Sequence, residues 1–121
     1  MIRLLLIAAL LASSLPVFAA KPVARAPAED PVEASIAGEF ALQAGQLPEA
    51  ARQYLQAARS ASDPVLAERA TRIALLANED ALARQGYALW QALAPQPSAP
   101  RQAVAATLAL RAGDKRAARR E

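Results

Sequence analysis

Cysteine and histidine are both absent from the 121 residues. Without Cys the chain can form no disulfide, thiol nucleophile or thiolate metal site. Without His it lacks the commonest general base and the commonest metal ligand. Lysine is nearly absent too, with only Lys21 and Lys115, and no glycine-rich phosphate loop occurs. The two carboxylate clusters, Glu29-Asp30-Glu33 and Glu79-Asp80, fall in a leader and a turn. Acids there cap helices and stay solvated, and no His, buried Lys or metal partner stands by to tune them. The sequence therefore points away from an enzyme, and no catalytic residue, cofactor or metal ligand is expected.

Aromatic residues make up only 4% of the chain, whereas hydrophobic residues overall reach 55% and alanine is the commonest residue. A core of that kind must come from helices packed closely through small side chains. Alanine favours helix, and strands would need more β-branched and aromatic residues. The expected fold class is all-α, and the length allows one small domain.

The N-terminus reads as a targeting segment. Arg3 precedes an apolar stretch of 12 residues, Leu4 to Leu15, interrupted only by Ser13 and Ser14. A spanning helix needs roughly 20 residues, so a signal peptide is favoured over a retained anchor. Val17 and Ala19 suit the −3 and −1 positions of a signal peptidase, which places the cut after Ala19; a cut after Ala20 would put Phe18 at −3. A lipoprotein would need a Cys after the cut. The expected organisation is a signal peptide over 1–19, a Pro-containing flexible leader over 20–30, and a helical domain over 31–121. The expected location is periplasmic or secreted, with no stable membrane anchor after cleavage. Losing Arg3 leaves 13 basic residues against 11 acids, a net charge of +2. Five of the basic residues lie from Arg111 onward. That tail lacks the aromatic interleaving that stacks bases, so nucleic acid is not an expected partner and a solvated helix face is preferred.

From Pro31 the helical period takes over. Val32, Ile36, Ala37, Phe40, Ala41 and Ala44 predict a buried stripe on a first helix that Gly45 ends. Pro48 fits the first turn of a second helix, whose stripe is Leu47, Ala50, Ala51, Tyr54, Leu55 and Ala58. Asp63 predicts an N-cap with Pro64 at the first helical position. The third helix would bury Leu66, Ala70, Ile73, Ala74 and Ala77, and Asn78-Glu79-Asp80 is its turn. Ala81, Leu82, Leu89, Trp90 and Leu93 line a fourth helix, which Pro95, Pro97 and Pro100 end. A fifth helix would bury Val104, Ala105, Leu108, Ala109 and Ala112. Gly113 is expected to turn the chain into a sixth helix from Lys115, two turns long and too short to be stable alone. Val104, Leu108 and Ala112 would then be only partly covered. Glu68 and Arg72 form an i,i+4 pair of the kind found on exposed helices.

The stretch LQAGQLPEAARQY, Leu42 to Tyr54, returns in weaker form as LRAGDKRAARRE from Leu110. This pattern resembles the tetratricopeptide repeat, a helix–turn–helix of about 34 residues. In the first unit the matching residues are Gly38, Gly45, Ala50, Tyr54 and Ala57. In the second they are Ala74, Gly86, Trp90 and Leu93, and in the third Ala106, Gly113 and Ala118. The small residues Gly38, Ala74 and Ala106 are spaced 36 and 32 apart. The large aromatic usual near the start of helix A is missing, with Ala34, Ala70 and Gln102 standing there. The resemblance implies a short right-handed superhelix of about two and a half repeats, with units at 31–64, 65–99 and a truncated 100–121. Trp90 would anchor the core between units. The bland alternative is an unrelated Ala-rich helical bundle. The runs DPVLAERATRIALLAN and GEFALQAGQLPEAARQYLQAARS are also similar to a family of exported bacterial tetratricopeptide proteins. Some of these are outer-membrane lipoproteins acting as adaptors for a carboxyl-terminal processing protease; this sequence lacks their lipid-bearing Cys.

The resemblance implies an exported protein–protein interaction module, an adaptor or scaffold that holds a peptide or partner protein in a groove lined by helix A. Glu39, Gln43, Thr71, Leu75, Asn78 and Thr107 would face that groove. The Lys/Asn clamp that some such domains use to hold a carboxylate is missing there, so recognition of a peptide C-terminus is not expected. The alternative is a structural cap or fragment of a longer array, without binding activity of its own.

Overall fold

The computed structural model describes residues 30–120. The expected signal peptide, and the leader up to Glu29, lie outside the described residues, as does Glu121. Among the described residues the fold is all-α, with five helices: α1 Pro31–Gln43, α2 Leu47–Ala61, α3 Pro64–Leu76, α4 Asp80–Leu93 and α5 Ala99–Ala118. Each packs on the next, and α5 lies most lightly on α4.

The ends of α1 and α3 are set by the same devices. Asp30 Oδ1 accepts from the Val32 N–H at 2.8 Å, and Asp63 Oδ1 accepts from the Val65 N–H at 2.8 Å. Each satisfies a backbone donor that the first helical turn leaves free, with Pro31 or Pro64 supplying a preset φ just behind. At the far ends, Gly45 at φ 72° and Asn78 at φ 57° both take the left-handed conformation. The Gln46 N–H then reaches the Ala41 carbonyl and the Glu79 N–H reaches the Ala74 carbonyl, each at 2.9 Å. This is the bond that closes a Schellman turn. Asn tolerates the left-handed region better than most residues, so it does in the second turn what glycine does in the first.

These paired bonds place α1–α2 and α3–α4 in register at a shift of 33 residues, from Pro31 to Pro64 and from Leu47 to Asp80. The expected shift of 36 is therefore corrected. Gly38 corresponds to Thr71, Ala50 to Ala83 and Tyr54 to Tyr87, while Trp90 stands where the first pair has Ala57. Trp90 is nevertheless a core residue, 5% exposed, grouped with Val104 and Leu108 in one cluster that runs back to Ala41.

The expected face of α1 is also corrected. Ala34, Gly38 and Ala41 point inward, whereas Val32, Ile36 and Phe40 are exposed. The close crossing with α2 is the cause, since a Cβ on Gly38 would come within 2.9 Å of the Tyr54 ring. Only small residues fit that seam, so the bulky stripe turns outward. In α3 the residue equivalent to Phe40 is Ile73, which sits in the core.

Gly113 makes no turn. α5 runs through it to Ala118, and no sixth helix forms among the described residues. Gly113 keeps helical backbone, and among the described residues Gly45 is the one glycine with a positive φ. Continuing the helix also keeps Arg111 and Lys115 on one side, one turn apart, where both bind Asp80. Val104 and Leu108, expected to be half open, are buried.

Candidate partner-binding face

Large hydrophobic side chains that remain exposed among the described residues are Val32, Ile36 and Phe40 on α1, Val65 and Leu76 on α3, and Leu110 on α5. All lie on odd-numbered helices. The even-numbered helices turn their large apolar residues inward or half inward, with Tyr54, Leu55 and Trp90 buried and Leu82, Tyr87 and Leu89 packed against the core. Along α3 the exposed positions Val65, Arg69, Arg72 and Leu76 recur at helical spacing. They form one stripe with apolar ends and a cationic middle.

The polar part of this face is held by a three-residue cluster. Tyr54 donates its hydroxyl to Glu39 Oε2 at 2.6 Å. Arg69 donates to the same oxygen at 2.9 Å, and its guanidinium lies over the Tyr54 ring, 4.5 Å from the centroid. The cluster joins α1, α2 and α3 and sets α1 beside α3. The Tyr54 hydroxyl, helped by the Arg69 charge, holds the Glu39 carboxyl below its ordinary range against some desolvation. Burial first, and then the bond to Glu39, pushes the Tyr54 hydroxyl up to about 12. Glu68 and Arg72 pair at 2.7 Å as their spacing predicts. Beside them a hollow of about 380 Å³ opens between the start of α3 and the α4–α5 link, with Val65, Glu68 and Trp90 on one side and Gln96, Pro97 and Pro100 on the other.

Of the residues expected to line a groove, Glu39 and Gln43 are exposed on α1. Thr71 is not available. It is 0% exposed, its hydroxyl donates to the Ala67 carbonyl at 2.7 Å, and it fills the α3–α4 crossing against Gly86. The 33-residue register explains the difference, because Thr71 takes the place of Gly38 at the seam rather than a place on the open face. Leu75 is half-buried, and its carbonyl accepts from Arg111 at 3.2 Å. Asn78 is exposed in the turn, and the Thr107 hydroxyl bonds back to Ala103 at 3.0 Å on half-covered α5. Glu39 and Gln43 are thus brought together on α1, while Asn78 belongs to another neighbourhood.

That second neighbourhood centres on Asp80, whose side chain is 6% exposed. Arg111 binds one carboxylate oxygen at 2.8 Å and Lys115 the other at 2.5 Å. Lys115, then Arg111, holds the Asp80 carboxyl below the usual range against desolvation. Asn78, Asp80, Arg111, Asp114 and Lys115 surround a hollow of about 320 Å³. Sequence reasoning treated Asp80 as a cap and missed its partners, which lie 31 and 35 positions away. It also missed Arg101, buried with its guanidinium on the Ala94 and Pro95 carbonyls. There it satisfies the open C-terminal end of α4.

Among the described residues no three His, Cys, Asp or Glu side chains gather to hold a metal, and no helix is long and apolar enough to cross a membrane. Comparison with protein-family models, with curated proteins and with solved structures finds no match.

Proposed function

We propose that the chain is a protein–protein interaction module that holds a peptide or a partner helix on the face of α1, α3 and α5. The observation that carries this reading is the confinement of exposed large apolar residues to those three helices. Exposed apolar side chains gathered on one set of elements mark interaction surfaces more often than single scattered ones do. Stacked helix pairs also present one helix of each pair to a shared concave surface. The arginines in the middle of the α3 stripe, each paired with a carboxylate, add polar groups that give direction and specificity. The reading agrees with the resemblance to exported tetratricopeptide proteins. On that reading residues 1–19 direct export to the periplasm or beyond, and N-terminal sequencing of the exported protein should return Ala20 first. Photo-cross-linking residues placed at Val65, Leu76 and Leu110 should capture one partner in the native cell, and the same residues at Ser60 and Ala88 should not. Equal capture from both sets would refute the assignment.

One observation favours a second reading, end-to-end stacking of α1 on a helix pair of another chain. Phe40 is 67% exposed, whereas its counterpart Ile73 is 5% exposed. The outer side of α1 is thus built like a seam that another helix pair would cover. Capture at Ile36 and Phe40 but not at Leu76 would support this reading over the first.

A further inference from the structure

Arg84 on α4 lacks the partner its position offers. One turn earlier on the same helix stands Asp80, the usual i,i+4 partner. Both Asp80 oxygens, however, are held by Arg111 and Lys115 from α5. Arg84 instead faces a hollow of about 280 Å³ whose other walls are Ala112, Lys115, Arg116 and Arg119 of α5. Among the described residues no carboxylate lines this hollow. Asp114, the one acid between Ala99 and Arg120, lines the neighbouring hollow with Asn78. Among the described residues neither Arg84, Arg116 nor Arg119 has an acidic partner.

Basic residues near the end of a helix are ordinarily explained by its dipole, because cations suit the C-terminal carbonyls. That covers Arg116 and Arg119. It does not cover Arg84, which comes from another helix, near that helix's N-terminal half. Nor does it explain why like charges are kept together. Lys115 and Arg119 stand at i,i+4 and Arg116 and Arg119 at i,i+3, spacings at which like charges repel along a helix. Three cations without an acidic partner, Arg84, Arg116 and Arg119, therefore converge from α4 and the end of α5 on a concave space beside Lys115, which Asp80 already holds.

We propose that this cleft binds an acidic segment of a partner protein, with two or more neighbouring carboxylates inserted between Arg84 on one wall and Arg116 and Arg119 on the other. Guanidinium groups suit this because each can hold a carboxylate through two parallel hydrogen bonds. The chemistry favours protein over nucleic acid, since among the described residues no aromatic side chain lines the cleft to stack a base. It favours protein over an anionic membrane, since among the described residues no large apolar side chain lines the cleft to enter a lipid surface. The proposal builds on the reading of the chain as an interaction module and adds a second contact, because none of the lining residues is among the exposed apolar residues of α1, α3 and α5.

The test is a fluorescence-anisotropy titration of the purified chain with a labelled hexaglutamate peptide. A hexathymidylate oligonucleotide and phosphatidylserine vesicles serve as comparison anions. The expected result is saturable peptide binding that weakens with salt. Arg84→Ala should weaken it about five- to tenfold, as expected for loss of one charge-assisted contact, and R116E/R119E should abolish it. Arg52→Ala, an exposed arginine on α2, should leave it unchanged. Arg84→Ala binding like the parent, Arg52→Ala weakening binding as much as Arg84→Ala, or tighter binding of oligonucleotide or vesicles would each overturn the proposal. Peptide binding lost in Arg84→Ala while cross-linking at Leu76 persists, or the reverse, separates this cleft from the odd-helix face.

Discussion

Thr71 and Gly86 meet so closely that one methyl group cannot be added between them. A Cβ on Gly86 would lie 2.4 Å from Thr71 Oγ1 and 3.2 Å from the Thr71 Cα. The hydroxyl is itself fixed by its bond to Ala67, so the α3–α4 spacing rests on this glycine. Gly86→Ala should lower stability by about 1–3 kcal/mol through overpacking. Gly113 is the counter-case, helical and with no neighbouring atom within 4 Å of the place a Cβ would take. Gly113→Ala should raise stability by roughly 0.5–1 kcal/mol. Urea unfolding of the two variants checks both signs, and a loss in both would show that α5 bends at Gly113.

Trp90 should anchor the join between α4 and α5, since it clusters with Val104 and Leu108. Trp90→Ala should cost about 3–5 kcal/mol. It is the only tryptophan in the chain, so intrinsic fluorescence reports it alone. Native emission should lie well to the blue of the emission in urea; coincident maxima would place the indole in water.

Asp80 should make stability fall in acid. Its folded pKa is depressed by Lys115 and Arg111, so its contribution is fully present above the unfolded carboxylate value. That contribution is lost as pH drops through the folded value, a window that opens below about pH 4. Asp80→Asn should lower stability at pH 7 by about 1–3 kcal/mol, typical of hydrogen bonds to a charged group. The gap between variant and parent should close as the parent is acidified. A gap that stays constant from pH 7 to pH 2 would mean that the two ion pairs contribute nothing.

Tyr54 should act at the other end of the scale. Burial and the bond to Glu39 raise its hydroxyl to about 12. The stabilisation is whole below the ordinary tyrosine value of about 10 and is lost as pH climbs through the folded value. Melting temperature should therefore drop faster between pH 9 and pH 11.5 in the parent than in Tyr54→Phe. Parallel curves would argue against the linkage.

The parts of this fold legible in the sequence are those decided within a few residues. Asp63-Pro64, Gly45 and the Asn78 turn depend on local capping chemistry and stand where their spacing predicted. The α2 stripe was legible because its apolar residues share one face. The face of α1 was not, because its inward side is chosen by how near α2 comes at Gly38 and Tyr54, and periodicity counts Phe40 as core. The register failed for a related reason, since small residues are so frequent that Ala74 and Thr71 compete for the same slot and only the turn bonds decide. The straight run of α5 depends on Asp80 reaching Arg111 and Lys115 across about 30 positions, which no local pattern encodes. At the candidate site, Glu39 and Gln43 were legible as exposed positions of α1. Arg69 and Val65 were overlooked, although both follow from the exposed side of α3 once the register is 33.

The central claim is that the odd-helix face does the binding, and calorimetric titration of the partner captured by cross-linking tests it most directly. Val65→Glu and Leu76→Glu each place a charge on that face at a residue already exposed, so the melting temperature should hold. The affinity should fall at least about tenfold, roughly 1.4 kcal/mol, as expected when a buried apolar contact at an interface is replaced by an unpaired charge. Ser60→Glu and Ala88→Glu, at exposed positions of α2 and α4, should bind like the parent. Undiminished binding by Val65→Glu and Leu76→Glu, with loss in Ser60→Glu or Ala88→Glu, would contradict the account and move the binding surface to the even-numbered helices.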